Sequence, residues 1–519
     1  MKKLLFLFIF SIIAVSCSKK VEVSGKLTNA SPLDRIEFID AAGVGTLPLL
    51  NIGLDKDGNF KGSFDAPKNG MYVISFGGRQ NLIYLKKGQS LVINANGMAF
   101  PEEYSIAGDA KANNDFLKNA QKYLMDYSSK LQMDQKMQLS EADFVKEMKK
   151  IQTDIYKNID ENASKYKADS EVVEYKKRET NAGILSVMGQ YEMIKKQTSG
   201  NPAYITPQVY NDFENTLVGD KDLMIKEHPV YRSYLLGKMN EGFQKFAETK
   251  VNGQTDLLTT DLFKDFIAGN KDHSQTVKDY LTAFIMVQAD LRPDQTPSNL
   301  TKLKSIIDTD IKDAQVKKDL QHLHFVVSGP KIGEAAPSAK LEKGDGTSYS
   351  IAEAGNKPKL LMFYASWNPY IQDAAIPVLK QVIDFYKSKL DFVFINLDDT
   401  KDQFNKTSSA LLKSLTGTSV YAEGGMQSEV AEKYGIYSFK LNPAFLLVDK
   451  DGKIASKFYY NLGDPELITM MDKLTGLKAP EVEPEITLQN DLLVPQQEQQ
   501  VPQQAPAPQQ NAPAPETAE

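Results

Sequence analysis

The sequence predicts a multidomain protein with an N-terminal all-β domain, a central all-α bundle, a C-terminal α/β domain and a disordered tail. Three observations support this prediction. The chain has 519 residues, which is too long for a single core. The spacing of its apolar residues changes along the chain from alternating to helical, and then to a mixture of both. Near its end the composition becomes rich in proline, glutamine and alanine.

These changes divide the chain into six segments. They are a signal peptide (1–16), a lipid anchor with a short linker (17–20), a β sandwich or barrel (21–107), a helical domain (108–328), an α/β domain (329–478) and a tail (479–519). Apolar residues make up 41% and charged residues 25%, as in globular proteins. The formal net charge of −6 is mild and spread along the chain, which argues against nucleic acid as a partner.

The N-terminus has the pattern of a bacterial export signal. Two lysines precede an apolar run over residues 4–13, which is too short to span a bilayer. Small residues then lead into Cys17, the only cysteine of the chain. This order resembles a lipobox, in which the thiol is diacylated, although Ala14 stands where that motif more often has leucine. An ordinary cleaved signal and an uncleaved anchor remain open as alternatives.

Lipidation of Cys17 would anchor the protein to a membrane of the cell envelope, and we expect the outer membrane rather than the inner one. The acylated sulfur would be a thioether that cannot exchange disulfides. An exported protein occupies a compartment that permits disulfides, yet this mature chain would have no thiol with which to form one. Its domains are therefore expected to be held together by their cores alone.

The segment from 21 to about 106 is predicted to be β. Short alternating runs, such as residues 71–76, are separated by turn clusters around Gly58 and Gly88. We predict a small antiparallel sandwich or barrel. The spaced strands, together with the turns at Gly58 and Phe60 and at Gly88, resemble the uncharacterised β domain that precedes thioredoxin-like modules in many envelope lipoproteins of Bacteroidota. This resemblance carries no known chemistry.

From about 112 to 327 the apolar residues recur at helical spacing. Phe116, Ala120 and Tyr127 fall on one face of a predicted helix, and Phe144 and Met148 fall on one face of the next. Because charged residues fill the intervening positions, these amphipathic helices need partners that bury their apolar faces. We predict an all-α bundle whose aromatic faces form core rather than a ligand site, with a hidden ligand pocket left open.

The tail from 479 to 519 is too polar and too rich in proline to form a core, so it is predicted to be disordered. Two apolar runs interrupt it, at residues 486–488 and 492–494. They are interpreted either as a linear motif that adds to the sheet edge of a partner or as plain apolar positions in a spacer.

Several landmarks follow one another between Ile332 and Leu477. They are an entry motif at 332–337, a hairpin at 344–351, a central strand at 359–365, a tryptophan at Trp367, a parallel strand at 392–398 and a proline at Pro443. In this order they resemble the membrane-anchored thiol–disulfide oxidoreductase and thiol-specific antioxidant branch of the thioredoxin superfamily, in which Pro443 would take the position of the cis-proline. The resemblance implies a thioredoxin-like fold.

The two cysteines of that family's active site are missing here. In the family, one cysteine follows the tryptophan and a second stands three residues later. In this chain these positions hold Asn368 and Ile371, so the degenerate redox motif is Trp367, Asn368, Pro369, Tyr370 and Ile371. Neither replacement can form the thiolate on which disulfide exchange depends. The domain is therefore predicted to be redox-inactive, with no catalytic residue.

The replacements at the motif are predicted to stabilise the fold. Asn368 is a favoured N-cap residue and Pro369 a favoured first helical residue, and the cap is worth about 1 kcal/mol relative to alanine. Ile371 is expected to pack inward. Met362 takes the position in the central strand where many thioredoxins carry a buried acid.

The groove beside the motif is a candidate binding site. In the family, the loop before the cis-proline pairs with an extended substrate backbone beside the tryptophan. The resemblance therefore implies a peptide groove formed by Trp367, Asn442 and Pro443. A purely architectural domain is the alternative, and a cis Asn442–Pro443 bond is implied only by the resemblance.

The remaining polar residues are interpreted as structural. His322 and His324 have no third ligand near them in the sequence, so neither a metal site nor a cofactor is predicted. The acidic pair of Asp398 and Asp399 is interpreted as solvated surface.

The sequence as a whole predicts an envelope lipoprotein that binds protein partners or acts as a scaffold, anchored through Cys17. Two alternatives remain open. A thioredoxin-family enzyme with non-cysteine chemistry would show a polar cluster with perturbed pKa values near Trp367 and Pro443. A periplasmic peptide-binding chaperone would bind many unfolded chains and no single partner.

Overall fold

The structure, a computed structural model, describes residues 20–480 except 32–33, 46, 202–203, 251–256, 293–294, 369, 372–374 and 437–442. The predicted signal peptide, Cys17 and nearly all of the segment predicted to be a tail lie outside these residues. So do Pro369 and Asn442, and with Asn442 the bond to Pro443. Within the described ranges, no helix combines the length and the apolar character needed to cross a membrane.

The N-terminal region folds into two four-stranded sheets over one apolar core. Its strands are β1 (Val21–Thr28), β2 (Arg35–Asp40), β3 (Leu50–Gly53), β4 (Asn59–Phe64), β5 (Gly70–Phe76), β6 (Arg79–Leu85), β7 (Ser90–Asn96) and β8 (Tyr104–Ala107). The sheet orders are β4-β1-β7-β8 and β3-β2-β5-β6. Of the two predicted forms, the arrangement is therefore the sandwich.

One strand pair departs from the antiparallel prediction. β1 and β7 run parallel, with Val23 beside Leu91. β7 follows β6, which belongs to the other sheet. The chain enters β7 from the other sheet and not from β1 through a tight hairpin. Because only a tight hairpin forces two paired strands to run antiparallel, β7 can lie parallel to β1.

The middle of the chain is helical. Its helices are α1 (Lys111–Ser128), α2 (Met133–Lys136), α3 (Glu141–Tyr166), α4 (Ser170–Thr198), α5 (Gln208–Val218), α6 (Lys221–Glu227), α7 (Pro229–Lys250), α8 (Thr259–Ala268), α9 (Gln275–Ile285), α10 (Pro297–Thr309) and α11 (Ala314–Ser328). The predicted apolar faces are buried, as Phe116, Phe144 and Met148 show. Met71 and Tyr84 of the sandwich belong to the same apolar cluster, so the two regions share a core.

A buried arginine joins the helical region to the sandwich. Arg232 on α7 is 2% exposed. It donates to the carbonyl oxygens of Ile225 at 2.8 Å and Lys226 at 2.7 Å, near the end of α6, and to those of Ala42 at 2.8 Å and Gly43 at 3.2 Å, which follow β2. Burial lowers the pKa of Arg232 to about 10, so the guanidinium stays charged at neutral pH.

The C-terminal region is a mixed sheet with helices on both faces. Its elements are β9 (Leu341–Lys343), β10 (Ser348–Tyr349), β11 (Lys359–Tyr364), α12 (Ile376–Tyr386), β12 (Asp391–Asn396), α13 (Lys401–Ala410), β13 (Thr418–Tyr421), α14 (Glu429–Lys433), β14 (Ala444–Val448) and α15 (Pro465–Thr475). The strand order is β10-β9-β13-β12-β11-β14. Strand β11 is buried along its whole length because apolar clusters cover both faces of the sheet.

Candidate functional site

The degenerate motif lies at the carboxyl end of the central strand. β11 pairs in parallel with β12, and Tyr364 at the end of β11 stands beside Asn396 at the end of β12. The carboxyl ends of neighbouring parallel strands meet at one edge of a sheet, where ligands bind in open α/β folds. The residues that follow these two strands, Trp367 on one side and Asp398 and Asp399 on the other, are therefore neighbours.

Asn368 and Ile371 are built into the fold. Asn368 is 3% exposed, and its Oδ1 accepts a hydrogen bond from the backbone N–H of Tyr370 at 3.1 Å. The bond has the two-residue spacing of a capping contact, but helix α12 begins later, at Ile376, so the N-cap role of Asn368 stays a prediction. Ile371 is fully buried, as expected, in an apolar cluster with Met362 and Leu379. Tyr370, by contrast, is exposed.

Asp398 is buried, and the prediction that it is solvated surface is wrong. Its side chain is fully enclosed. Oδ1 accepts from the backbone N–H of Ser366 at 2.6 Å, and Oδ2 accepts from Asn396 Nδ2 at 2.9 Å and Thr407 Oγ1 at 3.3 Å. Burial raises the pKa of the carboxyl group, and the hydrogen bonds from these three residues oppose that rise.

This cluster fixes the loop that carries the tryptophan. Ser366 directly precedes Trp367, so the bond from its N–H to Asp398 sets where the loop leaves β11. The acid behind the motif thus comes from the neighbouring strand, while the expected position in the central strand holds Met362. Because Asp398 is enclosed, its oxygens hold the loop and do not face an incoming molecule.

Asp399 is also not free surface. Its Oδ1 lies 2.6 Å from Arg35 Nη2 and its Oδ2 lies 3.3 Å from Arg35 Nη1, and the two side chains are 20% and 12% exposed. The guanidinium of Arg35 also lies over the Trp367 ring, 4.6 Å from its centroid. Arg35 begins β2, so the N-terminal sandwich covers the tryptophan of the degenerate motif.

The sandwich holds Arg35 in position for this contact. Asn51 on β3 accepts from Arg35 Nε through its side-chain oxygen and from Arg35 Nη2 through its carbonyl oxygen at 3.0 Å. Asn51 Nδ2 in turn donates to Glu37 at 2.7 Å. Burial raises the pKa of Glu37, and the charge of Arg35 opposes that rise.

Gly53 allows the two regions to approach closely. Its backbone N–H donates to Asp399 Oδ2 at 3.1 Å. A Cβ at this position would lie 3.0 Å from that same oxygen and 3.2 Å from Arg35 Nη1. A larger residue there would therefore press against the ion pair.

Comparison with known proteins agrees with this geometry for the C-terminal region. Residues 332–457 match the model described as the AhpC/TSA family. The C-terminal domain is thioredoxin-like. The thiol:disulfide interchange protein TxlA of Synechococcus elongatus is 40% identical over 79 residues, which are 15% of this chain and 40% of that protein. The match therefore spans less than half of that relative.

Two solved structures are similar to the thioredoxin-like domain. The C-terminal domain of a protein named as a thiol-disulfide oxidoreductase from Bacteroides thetaiotaomicron is 31% identical and covers 28% of this chain and 97% of that one, with a TM-score of 0.25. A protein named as thiol:disulfide interchange protein DsbE from Chlorobium tepidum is 20% identical and covers 28% of this chain and 99% of that one, with a TM-score of 0.24.

The predicted peptide groove of the thioredoxin-like domain is described in part. Pro443 is buried directly before β14, and Trp367 is half-buried beneath Arg35. Asn442 lies outside the described residues. The groove therefore stays a prediction, and its tryptophan is in contact with this chain's own sandwich.

The two histidines near the domain junction do not converge. His322 and His324 lie on α11, where residues two apart point in different directions. His322 Nε2 lies 3.2 Å from Glu432, and His324 Nε2 shares a hydrogen bond with the carbonyl oxygen of Leu300 at 2.8 Å. In the part of the chain that the structure describes, no group of His, Cys, Asp and Glu is arranged to hold a metal ion.

Sequence reasoning missed Arg35, Asp398 and Asp399. A signal existed for the two acids, because they follow a strand that neighbours the motif strand in the predicted parallel sheet. No comparable signal marked Arg35, which stands 364 positions before Asp399.

Proposed function

We propose that this chain is a lipid-anchored envelope protein whose thioredoxin-like domain binds protein partners or holds an assembly together, and does not exchange disulfides. The observation that carries the proposal is the presence of Asn368 and Ile371 at the two cysteine positions of the domain. A disulfide exchange needs a thiolate that attacks a sulfur atom. Cys17 is the only thiol in 519 residues, and the proposal assigns it to the lipid.

The packing of the two replacements supports a structural use of the site. Asn368 is buried and accepts a hydrogen bond from the backbone N–H of Tyr370, and Ile371 packs in the apolar cluster beneath it. The nearby acid, Asp398, is enclosed by its own hydrogen-bond donors. We therefore assign the binding of a protein partner to the surface around Trp367.

The position of Lys20 supports an anchor beside the junction of the three regions. Lys20 Nζ lies 3.9 Å from Asp65 of the sandwich. Lys20 also lines a cavity of about 390 Å³ together with His322 of the helical region and Glu432 of the thioredoxin-like domain. Three residues span at most about 11 Å, so lipidation at Cys17 would hold this junction close to the membrane.

The tail is the second part of the proposal. Its apolar runs at 486–488 and 492–494 stand in a proline- and glutamine-rich sequence. An extended segment of this kind can add to the edge of a partner's sheet through backbone hydrogen bonds. We propose that this segment extends from the domain and binds the partner.

Co-purification from detergent-solubilised envelope tests the proposal. The tagged full chain is compared with a version that ends at residue 478. One partner at fixed stoichiometry supports the scaffold function, and its loss from the shortened version locates the contact in the tail. Many substoichiometric proteins would favour a chaperone, and the absence of any partner would overturn the binding function.

Insulin reduction tests the redox part separately. The full chain in detergent should leave insulin as intact as a sample with reductant alone. Turnover above that background would overturn the redox-inactive assignment, since the only thiol of the chain, Cys17, is assigned to the lipid.

A further inference from the structure

The Trp367 face of the thioredoxin-like domain is filled by one arginine of the sandwich. Arg35 gives two hydrogen bonds to Asp399 and lies over the Trp367 ring. Asp399 Oδ2 also accepts from the backbone N–H of Gly53 on β3. The receiving side, Trp367 and Asp399, therefore holds a guanidinium carried on the extended strand β2, while the neighbouring strand β3 gives Asp399 a separate backbone N–H bond.

This pair of groups suits arginine better than lysine. A guanidinium is planar and can direct two N–H bonds at one carboxylate while its flat face contacts an aromatic ring. A cation over tryptophan gains from the negative face of the ring. A lysine ammonium is a compact point charge without the paired donors or the flat surface of a guanidinium. A lysine here would keep the positive charge but lose both the paired hydrogen bonds to Asp399 and the flat contact with Trp367.

The contact between the sandwich and the thioredoxin-like domain is partly open to solvent. Asp399 keeps 20% of its side chain exposed, so water reaches the ion pair. A further contact between the two regions, from Gln427 Nε2 to the carbonyl oxygen of Pro48, is long at 3.5 Å.

We propose that Trp367 and Asp399 form a binding site for an arginine carried on an extended segment, which Arg35 of this chain fills in the resting state. A partner segment of the same chemistry enters by displacing Arg35. This inference rests on the proposed function, since it names the class of partner that the thioredoxin-like domain takes. It also makes the N-terminal sandwich a competitor for that partner.

Trp367 provides the readout, because it is the only tryptophan of the chain. Its fluorescence is measured in the detergent-solubilised full chain, with acrylamide as quencher. We compare the wild type, Arg35→Ala and the double variant Arg35→Ala/Asp399→Asn. Arg178→Ala is the matched control, since Arg178 also forms an arginine–carboxylate pair but lies in the helical region.

The probe is a synthetic peptide with the sequence of residues 34–40, tested beside the same peptide with Arg35→Lys. Arg35→Ala should raise the quenching of Trp367, and the arginine peptide should reverse it. The wild type should bind the peptide about tenfold more weakly than Arg35→Ala, as expected for a site that is filled nine times in ten. The lysine peptide and the double variant should bind at least about tenfold more weakly than the arginine peptide on Arg35→Ala.

Two results would overturn the inference. One is equal binding of the arginine peptide to the wild type and to Arg35→Ala, and the other is equal binding of the arginine and lysine peptides. If Arg35→Ala fails to fold, Arg35→Gln replaces it, because glutamine keeps much of the length of the side chain and removes the charged fork that fills the site. Failure of the peptide to bind either opened variant, with a partner still captured by co-purification, would sink the inference and leave the proposed function standing.

Discussion

Replacing Asp398 with asparagine would test how the motif loop is held. The side chain keeps its size, and its oxygen can still accept from Ser366 N–H. The new amide nitrogen, however, would face Asn396 Nδ2, which donates to Asp398 Oδ2 at 2.9 Å in the wild type. Asn396 cannot reverse its amide without loss, because its own oxygen accepts from the Asp398 backbone N–H at 3.0 Å.

The expected loss follows from that single conflict. Thr407 adapts, since its hydroxyl already lies 2.8 Å from the carbonyl oxygen of Gln403 and can donate there while it accepts from the new amide. Asn396 Nδ2 is then the donor without an acceptor, which costs about 1–3 kcal/mol when buried. Removing a buried charge offsets part of this cost. We expect Asp398→Asn to lower the free energy of unfolding by about 2 kcal/mol.

Urea unfolding followed by Trp367 fluorescence measures this change. The only tryptophan lies in the thioredoxin-like domain, so the signal reports on that domain. The matched control is Asp391→Asn at the other end of β12, where Asp391 is exposed and 3.7 Å from Lys357. That control should stay within about 0.5 kcal/mol of the wild type. An Asp398→Asn variant as stable as the control would refute the hydrogen-bond reasoning.

Three further predictions concern stability. Arg232→Met removes the donor to four carbonyl oxygens and should lower the free energy of unfolding by about 3 kcal/mol, whereas Arg178→Met at a pair that is about a quarter exposed should cost at most about 1 kcal/mol. Urea unfolding followed by the helical circular dichroism signal measures both variants, and similar midpoints would contradict the proposed role of Arg232 in joining the two regions. Ile371→Ala leaves a cavity at a fully buried position and should lower the free energy of unfolding by about 2–4 kcal/mol in the Trp367 urea assay, against about 0.5 kcal/mol for Val378→Ala at an exposed position. Equal losses for the two variants would contradict the inward packing of Ile371. Burial raises the pKa of Asp319 to about 6, so its carboxylate opposes folding above pH 6 and this cost disappears as the pH falls towards 4. Asp319→Asn should therefore be more stable than the wild type by about 1–2 kcal/mol at pH 8, after allowance for its partial exposure, and equal to it near pH 4; thermal melts at the two pH values that show no such difference would contradict the assignment.

The sequence alone determined which element types occur and which chemistry the motif lacks. Alternation of apolar residues marked the sandwich, and helical spacing marked Phe116 and Phe144 as core, because both periods are properties of the local backbone. The identity of Asn368 and Ile371 excluded a thiolate at these two positions on chemical grounds alone. Side-chain chemistry of this kind does not depend on the surroundings.

The tertiary structure alone decided what surrounds the motif. Asp398 and Asp399 are adjacent acids, which taken by themselves are most often solvated. One is enclosed because the loop from β11 closes over the end of β12, and the other is paired because the sandwich brings Arg35 to it across 364 positions of chain. Burial and charge pairing depend on which elements pack together, and the local pattern of a sequence does not contain that information.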